Sequence, residues 1–115
     1  MKKEDKRKHS RIDSLNLLNY IYTETREEGS TQGMGRTLNI SESGVLLETH
    51  TPIKVGVNIY LTIGFEEEMV DIKGRVVYTK ENTEDMYESG IEFYSMDDDS
   101  RSILHRYIMA FNAEK

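Results

Sequence analysis

Two groups of polar residues in this 115-residue chain have side chains and spacings that suit ligand binding. The first is Arg7-x-x-x-Arg11, whose two guanidinium groups are close enough in sequence to grip one anion together. The second is Asn39-x-Ser41-x-x-Gly44, which brings an amide, a hydroxyl and a glycine into one tight turn. Such a turn offers hydrogen-bonding groups to a phosphate or a polar planar ring. An ordinary hairpin turn has the same composition, so the second motif alone decides nothing.

Charge is distributed unevenly along the chain. Residues 1–11 hold six Lys or Arg against Glu4 and Asp5, whereas the whole chain has a net charge of −6. A basic segment ahead of an acidic body is not the pattern of a duplex-DNA binder, which needs a broad basic face. Because charged residues dominate residues 1–11 and apolar periodicity is absent, we predict a flexible basic arm there.

The bulk composition limits the possible classes of protein. The length suits one compact domain with one core. The chain has no cysteine, which excludes disulfides and thiolate metal sites. Residues 1–11 lack the apolar region of a signal peptide, and no apolar run is long enough to span a bilayer. We therefore expect a cytoplasmic protein that does not insert into a membrane.

Alternation of apolar and polar residues predicts six short strands. They cover residues 15–25, 35–40, 45–49, 57–65, 69–78 and 87–94. In the first strand, Leu15, Leu17 and Ile21 alternate with Asn16, Tyr20 and Tyr22. The residues expected to face together in the fifth strand are Ile72, Gly74, Val76 and Tyr78. Residues 27–33 and 80–85 are predicted to be loops from their composition.

A helix is predicted at the C-terminus, over about residues 96–113. Its expected apolar stripe consists of Ile103, Leu104, Tyr107, Ile108 and Phe111, which recur at helical spacing. Ser95 and Asp98 resemble a capping box at its start. Strands followed by one helix predict an antiparallel barrel or sandwich over residues 12–113, with the helix against an opening or edge.

The sequence lacks the usual signatures of enzymes. His9, His50 and His105 are far apart and form no ligand motif, and no nucleophile motif or phosphate-binding glycine loop is present. We therefore predict a binding module without catalytic residues, metal or cofactor. A single-strand nucleic-acid module of the OB type is one alternative, although it should carry aromatic residues among basic ones.

Taken together and in this order, Arg7-x-x-x-Arg11 and Asn39-x-Ser41-x-x-Gly44 resemble the two motifs of the PilZ domain, the bacterial receptor module for cyclic di-GMP. The family pattern is R-x-x-x-R, followed some twenty to thirty residues later by D/N-x-S-x-x-G. The segments Gly74-Arg75-Val76-Val77 and 87–93 are similar to the later strands of the family. The resemblance covers about residues 6–111.

The resemblance implies a six-stranded antiparallel PilZ-type barrel with a C-terminal helix and a mobile N-terminal arm. It also implies that Arg7, Arg11, Asn39, Ser41 and Gly44 bind cyclic di-GMP, that the arm folds over the ligand, and that the signal passes to a partner protein. Arginine can bind the phosphates or the O6 and N7 edge of guanine, and Asn39 with Ser41 can address a guanine edge.

Lys6 and Arg36 are further candidates for ligand binding. Lys6 adds a cation just before the arginine pair. Arg36 shares strand parity with Leu38 and Ile40, which is opposite to Asn39 and Ser41. A PilZ-like adaptor that contacts only proteins remains an alternative, although such an adaptor would have little need for the two arginines, Ser41 and Gly44.

Overall fold

The computed structural model describes residues 17–23 and 29–114 of the chain. The elements within them are β1 (Leu17–Thr23), β2 (Ser30–Ile40), β3 (Gly44–Thr49), β4 (Asn58–Phe65), β5 (Glu68–Glu81), β6 (Tyr87–Ser95) and α1 (Asp98–Glu114). The strands close into a barrel in the order β1-β2-β3-β6-β5-β4. All neighbouring strands are antiparallel. The predicted six-stranded antiparallel barrel with a C-terminal helix is confirmed.

The start of β2 corrects the loop predicted over residues 27–33, because residues 30–33 belong to the strand. Thr23 pairs with Ser30, and Tyr20 pairs with Gly33. A Cβ on Gly33 would lie 2.7 Å from the Tyr20 hydroxyl oxygen, so the glycine makes room for this buried ring. Pairing with β1 therefore outweighs the polar, glycine-containing composition that suggested a loop.

The inner face of β1 carries aromatic residues. Leu18, Tyr20 and Tyr22 are buried, whereas Leu17 and Ile21 face outward and are exposed. The predicted alternation is therefore present, and the tyrosines occupy the core side. The rings of Tyr20 and Tyr22 lie 6.1 Å apart in a stacked arrangement, which adds an aromatic contact to their burial.

The hairpin between β5 and β6 begins later than predicted, since residues 80–81 still belong to β5. Asn82 organises the loop that follows. Its Oδ1 accepts hydrogen bonds from the backbone N–H groups of Glu84 and Met86, at 2.9 and 3.1 Å. Its Nδ2 donates to the carboxylates of Glu48 at 2.9 Å and Glu88 at 3.2 Å. One amide thus joins this loop to β3 and β6.

Helix α1 closes one end of the barrel with the predicted apolar stripe. Leu104, Tyr107 and Phe111 are buried against the strands. The Tyr107 ring meets Phe65 edge to face at 6.2 Å, and its hydroxyl donates to Thr37 Oγ1 at 3.4 Å. On the exposed side, Arg106 pairs with Glu68 at 2.6 Å, and this carboxylate raises the pKa of the guanidinium.

The helix begins with a different cap from the predicted one. Asp97 Oδ1 accepts a hydrogen bond from the Ser100 N–H at 2.7 Å, and the Asp97 carbonyl accepts from the Arg101 N–H at 2.9 Å. Asp97 is therefore the N-cap residue, and the capping box expected from Ser95 is wrong. The hydrogen bonds from Ser100 lower the pKa of Asp97, because they favour the ionised carboxylate.

Candidate ligand-binding groove

The predicted turn between β2 and β3 is present and is fastened by Ser41. The Ser41 N–H donates to the Gly44 carbonyl at 2.9 Å, and Ser41 Oγ accepts from the Ser43 N–H at 3.2 Å. The Ser43 hydroxyl lies 3.1 Å from Ser41 Oγ. The side chain of Ser41 is exposed, so its hydroxyl both stabilises the turn and faces solvent.

Asn39 is exposed beside this turn because β2 contains a bulge. Thr37 pairs with Leu47 and Asn39 with Leu46, which leaves Leu38 as an extra residue. The bulge changes the strand parity, so Arg36 and Asn39 both lie on the outer surface. The prediction that they lie on opposite faces is wrong for this reason. Asn39 Oδ1 accepts from the Ile40 N–H at 3.0 Å.

Gly44 allows β3 to approach β6 closely. A Cβ on Gly44 would lie 2.5 Å from the Ile91 carbonyl oxygen. The Phe93 N–H donates to the Ser43 carbonyl at 2.9 Å, which fixes the turn against β6. The positive-φ glycines in the described residues are Gly29 and Gly56, so Gly44 meets a demand for space rather than an unusual backbone conformation.

A groove of about 330 Å³ opens beside the turn. One wall is formed by Asn39, Ser41 and Ser43, and the other by Val77 and Tyr78 of β5, with β3 and β6 between them. The groove therefore combines an amide and two hydroxyls on one side with an aromatic ring on the other.

Tyr78 is the groove residue that the sequence reasoning missed. It was expected to face the same way as Ile72, Gly74 and Val76, which are buried, yet 45% of it is exposed. The pairing of β5 with β6 shifts between Val76 and Tyr78, and this irregularity turns the ring outward. The ring packs on the bare backbone of Gly90, the residue paired with it. The sequence shows a glycine within the last strand, but only the strand register relates Gly90 to Tyr78.

The groove itself supplies no positive charge. Among the described residues that line it, none is Lys or Arg, and Glu92 is acidic. A ligand with phosphate groups would therefore need cations from another part of the chain. Glu42, in the middle of the turn, is directed to the helix instead, where its Oε2 lies 3.1 Å from His105 Nδ1.

Arg36 is not brought into this groove. Its guanidinium forms an ion pair of 2.9 Å with Glu48, a carboxylate that is 7% exposed and also bonded to Asn82. Arg36 and Glu48 line a separate depression with Leu17 and Met34. In this structure, the arginine neutralises a nearly buried carboxylate.

Arg7, Arg11 and Lys6 lie outside the residues that the structure describes. The position of Leu17 nevertheless limits their distance from the groove. Leu17 pairs with Arg36, and Asn39 follows three positions later, or about 10 Å along β2. Arg11 precedes Leu17 by six positions, which span at most roughly 20 Å. Both leading arginines are therefore within reach of the groove.

Metal and membrane chemistry are not suggested by the described part of the chain. Within residues 17–23 and 29–114, no group of three or more His, Asp or Glu side chains could hold a metal ion. Over the same residues, no helix combines the length and apolar character that crossing a bilayer requires.

The described residues thus form a closed barrel whose surface groove joins hydrogen-bonding side chains to an aromatic ring. The family model of the PilZ domain matches residues 5–110, and the chain therefore belongs to the PilZ domain family. The resemblance to the PilZ family is therefore confirmed, and the match extends over nearly the whole length of the sequence.

A solved structure shares this fold. It is the PilZ domain with c-di-GMP of YcgR from Escherichia coli, with a TM-score of 0.62 and 11% sequence identity. The alignment covers 84% of this chain and 83% of that one. At this identity the likeness supports the barrel architecture alone. A comparison with curated protein sequences finds no match.

Proposed function

We propose that this chain is a cytoplasmic receptor for cyclic di-GMP that binds the nucleotide in the groove beside Ser41. The observation that carries the proposal is the pairing of Asn39 and Ser41 on one wall with Tyr78 on the other. An amide and a hydroxyl can read a guanine edge, and a half-exposed ring offers a face for stacking. Family membership and the cyclic di-GMP in the YcgR domain structure support the same ligand.

In this proposal the phosphates are bound by Arg7 and Arg11. The groove lining lacks Lys and Arg among the described residues, whereas the ligand carries two negative charges. Arg11 can span the distance from Leu17 to Asn39, as the strand register shows. Lys6 is close enough in sequence to add a third cation. Ligand binding then fixes residues 1–11 against the groove, and ligand affinity offsets the entropy lost in fixing them.

The proposed route of the signal leads through α1. Glu42 belongs to the turn and contacts His105 on the helix at 3.1 Å. A ligand that moves the turn would change this contact and so alter the surface that the helix presents to a partner protein. The contact is largely exposed, with 57% and 59% of the two side chains accessible, so it can adjust without disrupting the core.

Isothermal titration with cyclic di-GMP, GTP and cyclic di-AMP tests the proposed receptor function. We expect saturable binding of cyclic di-GMP and at least tenfold weaker binding of the other two nucleotides, with stoichiometry read from the same titration. Absence of cyclic di-GMP binding by a protein that melts cooperatively would contradict the proposal and favour an adaptor that contacts only proteins.

A further inference from the structure

Among the residues that the structure describes, one wall of the barrel carries no charged side chain, although 31% of the chain is charged. It consists of the outward residues of three neighbouring strands, and we call it the neutral wall. Its members are Leu17, Asn19, Ile21 and Thr23 of β1, Ser30, Gln32 and Met34 of β2, and Asn58, Tyr60, Thr62 and Gly64 of β4. Charged residues resume beside it, at Arg36 and at Asp71 and Lys73 of β5.

Large apolar side chains are concentrated at the centre of the neutral wall. Ile21 is paired with Gln32 on one side and Tyr60 on the other, and Met34 is paired with Asn19 one step along. The four largest apolar side chains of the wall are each 37–53% exposed, and they are Leu17, Ile21, Met34 and Tyr60. A contiguous apolar patch rimmed by polar residues is the usual mark of a protein–protein contact surface.

The charge of the protein indicates which partner fits this wall. Each copy has a net charge of −6, so two copies repel overall, and this repulsion is smallest when the surfaces that meet carry no charge themselves. A two-fold contact also requires a surface that is complementary to itself, and a neutral apolar ridge meets that requirement. The strongly charged residues 1–11 would lose hydration on this wall without gaining an opposite charge, so they are a poor occupant.

We propose that the neutral wall is the contact surface between two copies of this chain. Three strands about 4.8 Å apart and about seven residues long give a flat area of on the order of 300 Å² per copy. Two such faces give roughly 600 Å² in total, which is below the range of stable interfaces, so the proposed dimer is weak and forms and dissociates readily. Strand β1 lies opposite β6 in the barrel order, so the contact leaves the groove beside Ser41 open.

Sedimentation equilibrium of the full chain between about 10 μM and 1 mM tests the proposal. The parent should associate reversibly, and Ile21→Glu should weaken association at least tenfold, because a two-fold contact places two added carboxylates close together. Met34→Glu should act in the same direction. Met109→Glu is the matched control, since Met109 is 60% exposed and belongs to α1 rather than to a strand of the wall. Unchanged melting curves will show that both wall variants still fold.

The methyl signal of Met34 in isotope-labelled protein distinguishes the possible occupants. We expect this signal to shift as protein concentration rises, while the Met109 signal stays constant. A parent that remains monomeric at 1 mM would overturn the proposal, as would a dimer that Ile21→Glu leaves intact. A Met34 signal that changes on removal of residues 1–16 but not with concentration would assign the wall to the chain's own N-terminal segment and overturn it too. None of these results depends on nucleotide binding.

Discussion

Gly44 on β3 lies against Ile91 on β6 so closely that a Cβ on the glycine would be 2.5 Å from the Ile91 carbonyl oxygen. The glycine of the Asn39-x-Ser41-x-x-Gly44 motif is therefore needed for the close packing of β3 against β6, whether or not a ligand binds. The three named residues of the motif have different tasks: Gly44 sets the spacing of two strands, Ser41 fastens the turn, and Asn39 lies exposed beside it.

The first prediction concerns that glycine. Gly44→Ala should lower the free energy of unfolding by about 1–3 kcal/mol, because β3 and β6 must separate to admit the methyl group. Gly64→Ala is the control, since a Cβ there meets only Met69 Cγ, at 3.9 Å. Urea unfolding of the parent and both variants checks this. Equal stability of Gly44→Ala and the parent would show that the strands can move apart freely.

The second prediction concerns the aromatic wall of the groove. Tyr78→Ala should weaken cyclic di-GMP binding by roughly tenfold or more, because stacking on an aromatic ring contributes about 1–3 kcal/mol per base. Tyr78→Phe keeps the ring and should bind nearly as well as the parent. Tyr60→Ala, on the outside of β4, is the control at a similarly exposed tyrosine. Equal affinity of Tyr78→Ala and the parent would show that the Tyr78 ring does not contribute to nucleotide binding.

The third prediction concerns residues 1–11. Trypsin cleaves after Lys and Arg, and six such residues lie in this segment. Saturating cyclic di-GMP should slow cleavage there severalfold, because bound residues are less available to the protease. GTP at the same concentration should have no effect. If cleavage in this segment proceeds at one rate with and without cyclic di-GMP, closure over the ligand does not occur.

The fourth prediction uses pH. Burial raises the pKa of Tyr107 above its ordinary value of 10.0, and the hydrogen bond with Thr37 only partly opposes this. The stability contributed by the neutral phenol is therefore complete below about pH 10 and is lost as the pH rises through the folded-state pKa. Tyr107→Phe should destabilise the protein by about 1 kcal/mol at neutral pH.

The stability difference between parent and Tyr107→Phe should then shrink above about pH 10, because only the parent loses the buried neutral phenol. Urea unfolding at a series of pH values checks the trend. Tyr94→Phe, at a tyrosine that is 53% exposed, is the control for removing a phenol hydroxyl outside the core. A Tyr107 difference that does not vary with pH would mean that this phenol does not couple folding to pH.

Much of the fold could be predicted from sequence because its signals are local. The alternation Ile59, Leu61 and Ile63 marks the buried face of β4, and the helical recurrence of Leu104, Tyr107 and Phe111 marks the buried face of α1. Both periodicities continue without interruption in the structure. The β2–β3 turn was equally visible, since Asn39, Ser41 and Gly44 are turn-forming residues at close spacing.

The errors arose where pairing between strands overrides local pattern. The bulge at Leu38 and the shift between Val76 and Tyr78 reverse strand parity, and neither leaves a clear mark in its own strand. As a result, Arg36 was placed on the wrong face relative to Asn39, and Tyr78 was placed on the same face as Val76. The partner glycine, Gly90, belongs to another strand and could be related to Tyr78 only once the register was known.

The most direct test of the account is calorimetric titration of cyclic di-GMP into the parent, Arg7→Ala and Arg11→Ala, with melting curves for all three. Since the groove's described lining contains no Lys or Arg, we expect each substitution to weaken binding at least tenfold while leaving the melting temperature unchanged. Parent-like affinity in both variants would contradict the central claim that these two arginines and the groove beside Ser41 bind one nucleotide together.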